Sequence, residues 1–143
     1  MDVESSVQAK VTALFSKQPP TIHDPLGIVL IKLSPSEVRA TMPVDDRTKQ
    51  PFGLLHGGAS VVLAESCASI GAWLNIDDKQ YQAVGIEINA NHLRAARSGV
   101  VTATATPQHL GKRMHVWNIV IRDEKDQDIC VARCTLAIIE QST

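Results

Sequence analysis

The longest apolar run in the chain, Gly57 to Leu74, approaches the length that crosses a bilayer, yet it carries Ser60, Glu65, Ser66 and Ser69 and has no basic flanks. It reads as a buried helix of a folded domain. From Ala59 to Leu74 apolar residues cover nearly the whole helical circumference, and such a helix has to be wrapped by other elements. A sheet is expected to enclose it.

The flanking stretches supply that sheet. Leu26 to Leu33 and Glu37 to Val44 read as strands, the second alternating Val38, Ala40 and Met42, with Ser34-Pro35-Ser36 turning the chain into a hairpin. Asp45 to Phe52 is polar and proline-marked, a loop leading to the helix. Four more strand-like stretches follow Asp77-Asp78: Tyr81 to His92, Val100 to His109, Arg113 to Asp123, and Asp128 to Ile139. The turn signals between them are Arg97-Ser98-Gly99, Gly111-Lys112 and Glu124-Lys125-Asp126. Short loops favour antiparallel neighbours, so consecutive strands are expected to pair. The order defines an α+β class, a long central helix wrapped by a curled antiparallel sheet, the architecture called a hotdog fold. Pairing of subunits would cover the second face of such a sheet. Val7, Val11, Leu14 and Phe15 space a short amphipathic helix over Val3 to Phe15, so residues 1–20 are expected to form a peripheral helix and lead-in. With no composition break, repeat or low-complexity tract, residues 1–143 read as a single domain.

Fourteen Lys+Arg against fifteen Asp+Glu leave a formal charge of −1, so there is no global basic field to gather nucleic acid or anionic lipid, and neither partner is expected. Phosphate binding would have to be local. Cys67, Cys130 and Cys134 include no CxxC pair, which argues against a disulfide scaffold or a zinc knuckle. Cys130 and Cys134 would lie about 13 Å apart along one strand, beyond disulfide reach. His23 and His115 have no companion at metal-ligand spacing, and no metal is expected. The acidic start Met-Asp-Val-Glu-Ser-Ser is not a secretory signal and Gln141-Ser142-Thr143 is no peroxisomal address, so a cytoplasmic setting is expected.

Glu65 sits between Val61-Val62-Leu63-Ala64 and Cys67-Ala68, where burying a carboxylate without a partner is costly. Two readings stay open. Glu65 and Ser69, one turn on, form a solvated stripe; or Glu65 is a base or nucleophile in a partly dry cleft, with Ser69 orienting it or its water. At the helix start, His56-Gly57-Gly58 presents unpaired backbone N–H groups at the positive end of the helix dipole. A carbonyl oxygen aimed at the Gly57 N–H would be polarised as in an oxyanion hole, with Gln50 and His56 as side-chain donors nearby. The plainer alternative is an ordinary helix entry, with glycine as N-cap and His56 a satisfied neighbour.

Gly57 and Glu65 are separated by about 12 Å of helix axis, too far for one chain to grip a single carbonyl with both. Antiparallel helices from two subunits would set the start of one beside the middle of the other, a composite site across a two-fold axis. A local basic group completes the inventory: His92, Arg94 and Arg97 after one strand, and His109-Leu110-Gly111-Lys112-Arg113 at the next turn. Pairing through the Ser98-Gly99 turn would gather Arg94, Lys112 and Arg113 at one edge for phosphate, unless they are ordinary surface charges.

Several of these segments are familiar together: Met42-Pro43-Val44-Asp45, Gln50-Pro51-Phe52-Gly53-Leu54-Leu55-His56-Gly57-Gly58-Ala59-Ser60, Ala64-Glu65-Ser66 and Gly85-Ile86-Glu87-Ile88-Asn89-Ala90-Asn91-His92. From about Leu26 to the last strand the chain resembles the hotdog acyl-CoA thioesterases, nearest to those acting on dihydroxynaphthoyl-CoA in quinone synthesis and to the proofreading thioesterases of enterobactin synthesis. The resemblance implies a CoA-thioester hydrolase with Glu65 as catalytic carboxylate, the Gly57 N–H polarising the carbonyl, and Gln50 and His56 assisting. It implies that Ser69 and His92 line the acyl and thioester region. Gly85, His92, Leu93, Arg94, Ala95 and the segment His109, Leu110, Gly111, Lys112, Arg113 to Met114 would contact the CoA arm. It also implies a homotetramer, a dimer of dimers.

The expected activity is hydrolysis of an aromatic acyl-CoA, 1,4-dihydroxy-2-naphthoyl-CoA or a related aryl-CoA, to acid and free CoA with no cofactor. Two alternatives are a non-catalytic acyl-CoA sensor or scaffold of the same fold, and a proofreading enzyme acting on aryl thioesters of an acyl-carrier protein.

Overall fold

The computed structural model describes residues 1–16 and 19–141. Lys17 and Gln18 of the expected lead-in, and Ser142 and Thr143 at the carboxyl end, lie outside the described residues.

Chain order begins with β1 (Asp2–Val3), a 3-10 turn (Ser5–Val7), α1 (Gln8–Phe15) and α2 (His23–Leu26). Then come β2 (Val29–Ser34), β3 (Glu37–Pro43), α3 (Gly57–Leu74), β4 (Tyr81–His92), β5 (Val100–Leu110), β6 (Met114–Arg122) and β7 (Asp128–Glu140). The strands form one seven-stranded sheet in the order β1-β2-β3-β5-β6-β7-β4. All pairings are antiparallel except β1 with β2, which is parallel. The hairpin at Pro35-Ser36 forms as expected, with Ser34 facing Glu37 and the Ser34 hydroxyl accepting the Glu37 N–H at 2.9 Å.

Four expectations are corrected. The helix expected from Val3 begins at Gln8, because Asp2 and Val3 add to the sheet beside Lys32 and Leu33. This lead-in is also not peripheral: Val7 and Val11 are buried, and Lys10 Nζ donates to the Trp73 and Ile76 carbonyls at 2.6 and 2.7 Å, satisfying acceptors at the carboxyl end of α3. The strand expected from Leu26 starts at Val29, since His23–Leu26 makes one helical turn ended by Gly27 at φ +66. Finally, β4 does not pair with β5. Residues 93–99 are bonded elsewhere: the Leu93 N–H to the Ile129 carbonyl, the Ala96 carbonyl to the Leu55 N–H, and the Gly99 carbonyl to the Val44 N–H, each at 2.8 Å. They carry the chain across the end of the sheet, so β4 joins β7 as an edge strand while β5 lies between β3 and β6.

The helix α3 packs on this sheet through small residues. Ala64, Cys67, Ala68 and Ala72 are fully buried with Leu63, and Gly71 lets the strands approach so closely that a Cβ there would stand 2.5 Å from the Trp117 ring. As expected, the curled sheet wraps the helix, which meets every strand from β2 to β7. Its two edges are β1 and β4, and Val61, Val62, Glu65, Ser66 and Ser69 of the helix are left half-buried. Although α3 has the length and hydropathy of a membrane span, it is the helix against which the core is built.

Candidate active site

At its amino end α3 is capped by His56, whose extended backbone turns the imidazole back so that Nδ1 accepts the Gly58 N–H at 2.8 Å. The cap is therefore the histidine, not the glycine that the sequence suggests, and a neutral ring bonded in this way carries its proton on Nε2. Gly57 is the first helical residue, and its N–H has no acceptor among the described residues. Over it lies His92, the last residue of β4, with Nε2 2.8 Å from where a Gly57 Cβ would be. Gln50 enters from the preceding loop. Its Oε1 accepts the Phe52 N–H, which leaves the side-chain NH2 free to donate.

These groups share a cleft of about 370 Å³ lined by Gln50, Gly57, Ser60, His92, Arg94 and Ala95. Ser60 is the member that sequence reasoning passed over. It is buried one turn after Gly57, and the i,i+3 spacing on one helix face is the signal that marks it.

Glu65 stands two turns further along α3, outside that cleft, half-buried and with its carboxylate against Gly85 of β4. Behind it lies Cys134, whose thiol is pushed up to about 12 by burial first and then by the negative charges of Glu65 and Glu87. That thiol stays neutral. Cys67, on the buried side of α3, is likewise raised to about 12 by burial. Ser69 is one turn beyond Glu65 and also half-buried.

The basic residues are not gathered at one edge as expected. The Arg94 N–H reaches the Ile129 carbonyl at the start of β7, whereas the Arg113 carbonyl accepts from Ile138 near its end. Nine strand residues separate these points by about 30 Å. The expectation fails because it relied on β4 pairing with β5. Leu110, Gly111 and Lys112 line a different cleft, of about 590 Å³, with Asn75, Tyr81 and His115. His109 folds over its own turn, with Nε2 2.5 Å from the point where Gly111 would carry a Cβ. Among the described residues no group of three or more His, Cys, Asp or Glu is placed to hold a metal ion.

One apolar helix on a curled antiparallel sheet, entered through a glycine pair and carrying a half-buried carboxylate, defines a hotdog-fold thioester hydrolase. The chain belongs to the thioesterase superfamily, whose family model matches residues 52–130. It is 58% identical over 102 residues to the 1,4-dihydroxy-2-naphthoyl-CoA hydrolase of Escherichia coli, covering 71% of this chain and 74% of that protein. It is 47% identical over 119 residues to the proofreading thioesterase EntH of Cronobacter sakazakii, covering 83% and 86%. The crystal structure of a mutant thioesterase PA1618 from Pseudomonas aeruginosa superposes with a TM-score of 0.85 at 49% identity, covering 90% of this chain and 93% of that one.

Proposed function

We propose that this thioester hydrolase acts on an aromatic acyl-CoA, 1,4-dihydroxy-2-naphthoyl-CoA or a related aryl-CoA, releasing the free acid and CoA. The name 1,4-dihydroxy-2-naphthoyl-CoA hydrolase, carried by two of its relatives, supports the aryl class. In this reading Glu65 either activates water or attacks the carbonyl to give a mixed anhydride that water then opens; each route consumes one water and releases one thiol. The Gly57 N–H, with the dipole of α3 behind it, polarises the carbonyl, and the Gln50 amide adds a second donor. His56 holds the helix entry, Ser69 orients Glu65 or its water, and no metal or redox cofactor takes part.

The observation that carries this reading is the half-buried face of α3, with Gly57 and Glu65 about 12 Å apart beside β4, whose outer edge pairs with no strand among the described residues. A second copy packed there with its helix antiparallel sets the Gly57 of one subunit beside the Glu65 of the other. The same pairing would bring the basic ends that one chain keeps apart, Arg94 of one copy and Lys112 and Arg113 of the other, around the CoA arm along with Ala95. This arrangement is a dimer, and the family resemblance supports its assembly into a dimer of dimers in the cytoplasm.

The test is steady-state thiol release from dihydroxynaphthoyl-CoA, benzoyl-CoA, a long-chain acyl-CoA and an aryl-carrier-protein thioester. The reading expects the aryl-CoA substrates to lead and Glu65→Gln to abolish turnover. Preference for the carrier protein points to proofreading, and binding without thiol release points to a sensor.

A further inference from the structure

Gly85 lies in mid-strand between Val84 and Ile86, where glycine weakens a strand and marks a close approach. Backbone conformation does not call for it: among the described glycines only Gly27, Gly53 and Gly99 have positive φ. Space does, because the point where Gly85 would carry a Cβ is already in contact with the Glu65 Oε1. The strand is also irregular at this place. Gly85 faces Leu136 and Glu87 faces Thr135, so Ile86 is an extra residue, and such a bulge bends the strand locally.

We propose that Gly85 is a positioning residue for Glu65: its missing side chain and the adjoining bulge form a slot that holds the carboxylate flat against β4. The inference rests on Glu65 being the reacting carboxylate, as proposed above. A glutamate on an open helix face has several rotamers to choose among; a slot on one side removes some of them before substrate arrives. Since Oε1 is the far end of a flexible side chain, a methyl group at position 85 displaces the carboxylate and leaves the fold intact. This distinguishes a positioning role from a contact to CoA, which would govern KM.

The experiment compares Gly85→Ala, Glu65→Gln, Glu65→Asp and the double variant Gly85→Ala/Glu65→Asp in thiol release from benzoyl-CoA, with a thermal melt of each. Gly85→Ala is expected to keep its Tm and its KM while kcat falls by about 10- to 100-fold, the scale of a misplacement near 1 Å. Glu65→Asp is expected to cost less in the Gly85→Ala background than in the natural protein, because the shorter side chain clears the new methyl. A raised KM with kcat retained, or independent multiplication of the two losses, overturns the positioning role. If Glu65→Gln is inactive and Gly85→Ala is fully active, positioning alone is refuted and the carboxylate reading survives. If Glu65→Gln turns over at the natural rate, the carboxylate reading is lost and the positioning role with it.

Discussion

The imidazole of His92 closes the end of β4 over the first residue of α3, its Nε2 2.8 Å from where Gly57 would carry a Cβ. Two segments distant in sequence meet at the N–H proposed to polarise the carbonyl, which has no acceptor among the described residues. A side chain at position 57 has to push the ring aside. Gly57→Ala is therefore expected to lower kcat/KM for benzoyl-CoA, and Gly57→Ala/His92→Ala to be no worse than His92→Ala, since without the ring there is nothing left to displace. Multiplied losses in the double variant would show that the two residues act separately.

Gln50 has its carbonyl oxygen tied to the Phe52 N–H, which points its role toward donation. Loss of one donor to a developing oxyanion costs about 10²–10³ in turnover. Gln50→Ala should fall in that range with little change in KM, and an unaltered kcat removes Gln50 from the mechanism.

Complementation tests whether each site is shared between copies. Gly57→Pro deletes the N–H at a helix position that tolerates proline, and Glu65→Gln deletes the carboxylate. Each variant alone should be inactive. Unfolded and refolded together, they should regain activity, because a mixed pair contains one site with both groups intact. No recovery despite subunit exchange would place Gly57 and Glu65 of the same chain in each site.

Gly71 concerns stability. Trp117 is fully buried, so its ring has no room to retreat from a methyl 2.5 Å away. Gly71→Ala is expected to destabilise the fold by about 1–3 kcal/mol in denaturant unfolding, the usual cost of overpacking. The penalty should shrink in a Trp117→Phe background, where the smaller ring leaves space.

The pH dependence of stability has a defined sign. Burial, and then the neighbouring His109, lower the His115 pKa from 6.5, and burial lowers that of His23 despite Asp24. The unfolded chain thus binds protons that the folded protein refuses. Stability from this source is complete above about pH 6.5 and is lost as pH falls through the lowered values. Thermal melts between pH 7.5 and 5 should show Tm falling, with a shallower slope for His115→Gln. An identical slope in that variant would exclude His115 as a source.

Strands whose residues alternate, such as Tyr81–His92, are legible in the sequence, and so is the helix that carries Glu65. A carboxylate within an apolar run marks itself by its cost. Partner choice among strands leaves no such mark. Nothing in the pattern of residues 81–92 says that they face Cys130–Glu140 and not Val100–Leu110; the bonds that the Leu93 N–H donates and the Ala96 and Gly99 carbonyls accept decide it. The misplaced Arg94 cluster follows from that gap. Gly85 shows the converse case: its glycine is visible in the sequence, but the reason for it is a side chain twenty residues away in the chain and touching in space.

The short parallel strand at Asp2–Val3 has an outcome at a larger scale. By sitting beside β2 it forms a two-residue margin of the sheet and leaves β4 as the long margin among the described residues. On the proposed reading, a second copy that joins by extending the sheet finds twelve residues of backbone to pair with at β4 and only two at the opposite margin.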